Sequence, residues 1–172
     1  MFWSEPPAAI FWSKKKRVNS KSADLVIKAK EYAFLLLKYR LRSEKELSAR
    51  LKRKNFPEEI IRATISFLKE KSFLDDDVFT KAWISSRLKR PFGLRRITQE
   101  LKAKGVAQEI IVKQVGRIDK DYSESEVIRK LAQKRFAAVK SGEPFEVKRK
   151  VYAYLVRRGF SPDAVYDIIS QL

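Results

Sequence analysis

One pattern recurs three times along the chain and limits what it can fold into. Each copy is a leucine, a basic residue three positions later, then a turn-forming residue, an apolar residue and, four positions further, a pair of apolar residues. The copies occupy 51–61, 101–111 and 155–165. They start 50 residues (51 to 101) and 54 residues (101 to 155) apart. This spacing predicts a tandem array of small units rather than one ordinary domain.

The pattern is typical of a corner between two helices. An apolar residue lies four positions before each leucine, as Leu47 does before Leu51, so the two share one face of a short helix. The turn-forming residue then stands where the helix ends in the left-handed backbone region, which glycine adopts readily and asparagine tolerates. The turn-formers and the apolar residues predicted to fold back behind them are Asn55 and Phe56, Gly105 and Val106, and Gly159 and Phe160.

A second helix is predicted after each corner and another helix before it. The apolar positions after the corner recur at the same offsets, which indicates amphipathic helices in register: Ile60, Ile61, Ile65, Leu68; Ile110, Ile111, Val115, Ile118; Ala164, Val165, Ile169, Leu172. The apolar faces predicted for the preceding helices are Leu25, Ala29, Tyr32, Ala33, Leu36, Leu37; Val78, Phe79, Ala82, Trp83; Val127, Ile128, Leu131, Ala132, Phe136. Each unit is therefore helix, short helix, helix, and the fold class is all-α.

Local signals mark where the helices start and stop. Ser43 with Glu46 forms a capping box, and Pro57 is suited to a first helical turn. Pro91 and Gly93 exclude a continuous helix through the basic segment around them. The predicted repeats are 24–72, 73–120 and 121–172, preceded by a basic and aromatic tail at 1–23.

The tail carries the triplet Phe-Trp-Ser twice, at 2–4 and 11–13, followed by four basic residues at 14–17. Aromatic side chains beside a basic run are suited to stacking on bases. Packing against the first helix, or against a neighbouring chain, explains the same residues equally well.

Charge and composition restrict the function. The 39 Lys and Arg exceed the 21 Asp and Glu, giving +18, which favours a polyanionic partner or an acidic protein surface. A solvated basic surface kept for solubility is the alternative. No run is apolar and long enough to span a bilayer, and the N-terminus has no apolar signal core. We therefore expect a cytoplasmic protein without a membrane partner.

The sequence offers little for catalysis. It contains no Cys and no His, which removes thiol nucleophiles, disulfides, Cys/His zinc sites and the commonest general base. The five glycines are isolated, so there is no phosphate-binding glycine loop. Three adjacent aspartates at 75–77 suggest a metal, but a calcium loop needs alternating oxygens and a glycine, so helix capping explains them better. We expect no enzyme activity, no cofactor and no metal site.

A DNA-reading helix–turn–helix domain also combines three helices with a glycine corner. Its reading helix normally exposes Arg, Asn, Gln or Ser. Here the third helices expose acidic residues instead, among them Glu58, Glu59 and Asp163. Acidic groups on the supposed reading face argue against insertion into a DNA groove.

Four motifs in order resemble the RecX family of recombinase regulators. They are SExEL at 43–47, FLDD at 73–76, GxxRIxxELxxKG at 93–105 and RGF at 158–160. The resemblance covers roughly 29–172, and Asn55 stands where the family has glycine. It implies an elongated, curved array of three tandem three-helix repeats.

The resemblance also implies a partner, the RecA filament on single-stranded DNA, with weaker binding to DNA alone. A monomeric RecX-like protein is expected to modulate, and mainly to inhibit, filament extension, ATP hydrolysis, strand exchange and the co-protease activity of RecA. A stand-alone nucleic-acid-binding repeat protein is the alternative.

The basic residues beside the short helices are the predicted contact set. We expect them to form one track along the repeats, although any one of them is equally compatible with ordinary solvation. The set is Arg40, Arg42, Lys52, Arg53 and Lys54 in the first repeat; Arg87, Lys89, Arg90, Arg95, Arg96, Lys102 and Lys104 in the second; and Lys148, Arg149, Lys150, Arg157 and Arg158 in the third.

Overall fold

The structure, a computed structural model, describes residues 9–118, 122–139 and 142–172, with side chains described from residue 22 onwards. Within these residues the chain forms nine α-helices and no strand, which confirms the all-α prediction. The helices are α1 (Ala9–Tyr39), α2 (Glu44–Arg53), α3 (Glu58–Glu70), α4 (Asp76–Leu88), α5 (Leu94–Ala103), α6 (Gln108–Val115), α7 (Glu124–Ala138), α8 (Pro144–Arg157) and α9 (Pro162–Ser170). None of them, in the part searched, combines the length and apolarity needed to cross a membrane.

The chain divides into two compact units. The first ends at Asp75 and contains α1, α2 and α3, which pack on one another. The second begins at Asp76 and contains two such bundles, α4–α6 and α7–α9. Each bundle has its own apolar core. The residue pairs of the short second helices are fully buried in these cores: Leu47 and Leu51, Ile97 and Leu101, Val151 and Leu155.

All three corners have the same backbone conformation. The φ angles of Asn55, Gly105 and Gly159 are 60°, 78° and 87°, so each lies in the left-handed region as predicted. In the first corner the amide of Asn55 donates to the carbonyl of Lys52 at 2.9 Å, and the amide of Phe56 donates to that of Leu51 at 3.4 Å. The other two corners repeat this pair of bonds, which is the Schellman arrangement.

Two predicted helix starts can be compared with the structure. The Ser43 hydroxyl accepts from the amide of Glu46 at 3.2 Å, as the capping box requires. The first helix begins at Ala9, earlier than Asp24, where its apolar period starts. The first Phe-Trp-Ser triplet lies outside the described residues, and the second lies where side chains are not described.

Parts of three apolar faces differ from the prediction. On α4, Val78 is 53% exposed and Ala82 is also exposed, because Thr80 and Ile84 complete the buried face with Phe79. On α1, Leu25 lies at the exposed edge of the face. In the third repeat Leu172 is 45% exposed because α9 ends at Ser170, and Ile168 is buried instead.

The second and third repeats meet at two glycines. The amide of Gly93 donates to the carbonyl of Arg158 at 3.0 Å. A Cβ atom on Gly93 would collide with the backbone of Gly159 and Phe160. Gly93 has no side chain to cap α5, and the carboxylate of Glu124 accepts from the first amide of that helix, Leu94, at 2.8 Å. The two bundles are therefore joined through backbone and capping contacts.

Candidate nucleic-acid interface

Each repeat places side chains between the end of its first helix and the outer face of its short second helix. We call these places the first, second and third grooves. The residue just before the corner leucine belongs to each of them: Arg50, Glu100 and Tyr154. The three repeats therefore have a basic, an acidic and an aromatic side chain at the same position of the short helix.

The first groove is a small arginine cluster of about 220 Å³ around Glu46. Arg40 forms an ion pair with Glu46 at 2.9 Å. Arg42 is only 9% exposed, and its Nε donates to the carbonyl of Leu36 at 3.3 Å. Burial, followed by repulsion from Arg40 and Arg50, lowers the pKa of Arg42. Arg42 is thus a packed structural cation rather than a solvated one.

The other predicted cations of the first repeat lie on or after α2. Lys52 and Arg53 are exposed. Lys54 is also exposed, and its Nζ lies 5.5 Å from the centre of the Tyr32 ring. Arg53 lines the first groove with Arg50, which the sequence analysis omitted.

The second groove is closed by a carboxylate. Glu100 accepts hydrogen bonds from Arg87 Nε at 2.6 Å, Arg96 Nε at 3.2 Å and Trp83 Nε1 at 3.1 Å. Burial by itself raises the pKa of Glu100, but the hydrogen bonds outweigh it and hold that pKa below 4.5. Two of the predicted contact residues, Arg87 and Arg96, therefore share this single carboxylate within the protein.

The same two arginines, and Lys104, also pack against aromatic rings. Arg87 lies over Trp83 at 4.2 Å and Arg96 over Phe92 at 4.3 Å. Lys104 Nζ lies 4.1 Å from the centre of the Trp83 ring. Such contacts stabilise a cation by about 0.5–2 kcal/mol, so these side chains have a structural role that charge counting does not reveal.

Arg158 belongs to the same joint between repeats. Its Nη1 donates to the carbonyl of Pro91 at 3.1 Å, and its guanidinium lies 5.7 Å from the centre of the Phe92 ring. The exposed members of the predicted set in the second repeat are Lys89, Arg90, Arg95 and Lys102.

The third groove is larger, about 400 Å³, and is lined by cations around Tyr154. Arg135 lies over the Tyr154 ring at 4.7 Å, and Arg158 at 4.9 Å. Lys150 and Arg157 are exposed and line the same groove. Among the described residues no carboxylate lies within ion-pair distance of Arg135, Lys150 or Arg157.

Arg149 and Lys148 differ from these groove cations. Arg149 lines the groove but forms an ion pair with Glu146 at 2.8 Å, and that hydrogen bond lowers the pKa of Glu146. Lys148 is half-buried on α8.

Arg135 was missed by the sequence analysis, although a signal for it exists. Ile84 and Ala132 are buried at equivalent positions of the first helices, and each is followed three residues later by an arginine, Arg87 or Arg135. Both arginines face the residue before the corner leucine. Aligning the first helices by their buried residues would have found Arg135.

Family comparisons cover all three repeats. The model of the first three-helix domain of RecX matches residues 29–68, the second matches 75–113 and the third matches 121–169. The chain belongs to the RecX family. The regulatory protein RecX of Clostridium botulinum (strain Eklund 17B / Type B) is 30% identical over 165 residues, covering 91% of this chain and 77% of that protein. The regulatory protein RecX of Amycolatopsis mediterranei (strain U-32) is 32% identical over 146 residues, covering 84% and 82%.

Solved RecX structures have the same fold. A crystal structure of regulatory protein RecX matches with a TM-score of 0.80 at 24% identity, over 100% of this chain and 81% of the other. The RecX structure from Lactobacillus salivarius gives 0.77 at 23% identity, over 87% and 97%. These matches confirm the tandem three-helix repeat fold.

The chain is therefore a RecX-type regulatory protein, which agrees with the expectation of a non-enzymatic role. In the described ranges no group of three or more acidic side chains is placed to hold a metal ion. Asp77, one of the three adjacent aspartates, accepts from Lys113 at 2.7 Å and from Gln114 at 2.9 Å. These bonds join α4 to α6.

Proposed function

We propose that this RecX protein binds the RecA filament on single-stranded DNA and regulates RecA, mainly as an inhibitor. The affected activities are filament extension, ATP hydrolysis, strand exchange and co-protease activity. The protein acts in the cytoplasm as a monomer and binds DNA alone more weakly than it binds the filament.

The third groove is the observation that carries this proposal. A RecA filament on DNA presents a polyanion along its length, and a net charge of +18 steers the protein towards it. Many predicted contact residues form ion pairs or hydrogen bonds with other groups of the protein. Lys150 and Arg157, in contrast, are exposed beside an open groove and form no ion pair with a described carboxylate. These are the cations that a polyanion neutralises at the smallest structural cost.

Titration into a RecA ATPase assay on single-stranded DNA at fixed salt tests the proposal. We expect inhibition at protein concentrations well below that of RecA, because a regulator of filament growth acts on few sites. Inhibition that appears only when the protein coats all the DNA would contradict it, since competition for DNA would then be sufficient. A stand-alone nucleic-acid binder would give that second result.

A further inference from the structure

The three grooves differ at two aligned positions of the short second helix. The residue before the corner leucine is Arg50, Glu100 or Tyr154, and the residue five positions before it is Glu46, Arg96 or Lys150. The first and second grooves therefore each contain a carboxylate at one of these positions, and the third contains none. Of the three aligned sites, only the third has no carboxylate at either position, and the one carboxylate beside it, Glu146, is paired with Arg149.

The cations of the third groove line one cavity and are spaced apart along it. The guanidinium of Arg135 is stacked on Tyr154 at 4.7 Å, and a stacked, planar guanidinium loses less freedom when it binds an oxyanion. Lys150 and Arg157 are two helical turns apart on α8, about 10 Å along its axis. A single phosphate ion uses only part of this set, whereas successive phosphates of a strand can use all of it.

The floor of the groove is partly apolar. The half-buried Val139 and Ala153 line it together with the cations. Inorganic phosphate gains nothing from such a surface, while the sugar of a nucleotide can cover it. An extended row of cations over an apolar floor is suited to a nucleic-acid strand, which alternates phosphates with sugars and bases.

We propose that the third groove binds the phosphodiester backbone of a nucleic-acid strand through Arg135, Lys150 and Arg157. The second groove, closed by Glu100, has a structural role instead. This inference rests on the proposed function to the extent that the strand is the DNA of the RecA filament, and it assigns the third repeat to the DNA rather than to RecA.

The test measures fluorescence anisotropy of a labelled oligothymidine with the full chain, between 50 and 200 mM salt and without RecA. The variant is Lys150→Glu with Arg157→Glu. The matched control is Arg129→Glu with Lys130→Glu, which makes the same charge change on exposed residues of α7 outside the groove. We expect the groove variant to bind about tenfold more weakly at low salt, and its salt slope to fall by about 1.4 for two lost contacts. The control should stay within about twofold of the wild type.

Three results would overturn the inference. Equal losses in both variants would mean that net charge alone binds DNA, and no loss in either would place the strand elsewhere. Displacement of the DNA by inorganic phosphate, at an ionic strength matched with chloride, would mark a site for free phosphate. Should circular dichroism show that the groove variant is unfolded, Lys150→Gln with Arg157→Gln serves in its place.

A RecA ATPase assay on the same variants separates this inference from the proposed function. Unchanged DNA binding with lost RecA inhibition would assign the groove to an acidic RecA surface and overturn the inference. Groove-dependent DNA binding by a wild-type protein that does not inhibit RecA would support the inference and contradict the proposed function.

Discussion

In the second repeat the residue before the corner leucine is Glu100, and it accepts hydrogen bonds from Arg87 and Arg96. In the third repeat the same position is Tyr154, and Arg135 stacks on its ring without a described carboxylate beside it. The two repeats therefore share a fold, but the arginines beside this position have different partners. The residue at this position of the short helix therefore differs together with the role of the arginines, which pair with a carboxylate in the second repeat and stack on a ring in the third.

The corner glycines of these repeats differ in a second way. Gly105 is exposed, and its backbone lies in the left-handed region. Gly159 has the same conformation but is packed against Arg96 and Gly93 of the neighbouring repeat. The third corner is therefore also the joint between two bundles.

The largest expected effect is a difference in stability between variants of these two corners. Gly159→Val should lower the free energy of unfolding by about 3 kcal/mol or more, because strain at positive φ adds to a collision with Arg96. Gly105→Val should cost about 1 kcal/mol or more, because valine is strained at positive φ. Urea unfolding of both variants measures the difference, and equal losses would show that the joint adds nothing to the cost of substitution.

The next effect concerns the carboxylate that closes the second groove. Glu100→Gln should lower the free energy of unfolding by about 1–2 kcal/mol, because Arg87 and Arg96 lose their counter-charge while partly buried. Glu109→Gln, at an exposed residue of α6, is the control and should change stability by less than about 0.5 kcal/mol. A loss no larger than that of the control would contradict the structural role of the second groove.

The smallest effect is the pH dependence of that same carboxylate. The folded-state pKa of Glu100 lies below 4.5, so its contribution to stability is present above pH 4.5 and is lost as pH falls through the folded value. The difference in unfolding free energy between the wild type and Glu100→Gln should therefore shrink below pH 4.5. Urea unfolding at a series of pH values measures it, and a difference that does not change with pH would show that Glu100 acts by shape rather than charge.

The corners were predictable from sequence because each depends on residues close together in the chain. The offsets from Leu51 to Asn55 and Phe56 fix a local backbone motif, and the structure has it in all three copies. The apolar face of α4 was less predictable, since periodicity alone does not distinguish Val78 from Thr80 as the buried residue.

The partners of the arginines were not predictable in the same way. Arg87 meets Glu100 across a loop, and Arg158 meets the carbonyl of Pro91 from another repeat. A sequence gives the number of cations and their order, but only packing decides which of them are neutralised. The predicted set therefore mixed structural arginines with exposed ones and omitted Arg135.

The most direct test of the central claim is RecA ATPase inhibition on single-stranded DNA by two variants of equal charge. Lys150→Glu with Arg157→Glu alters the third groove, and Arg129→Glu with Lys130→Glu does not. The first variant should need about tenfold more protein than the wild type for half-maximal inhibition, and the second less than about twofold more. If both variants inhibit as strongly as the wild type, the third groove is not where this RecX protein meets the filament.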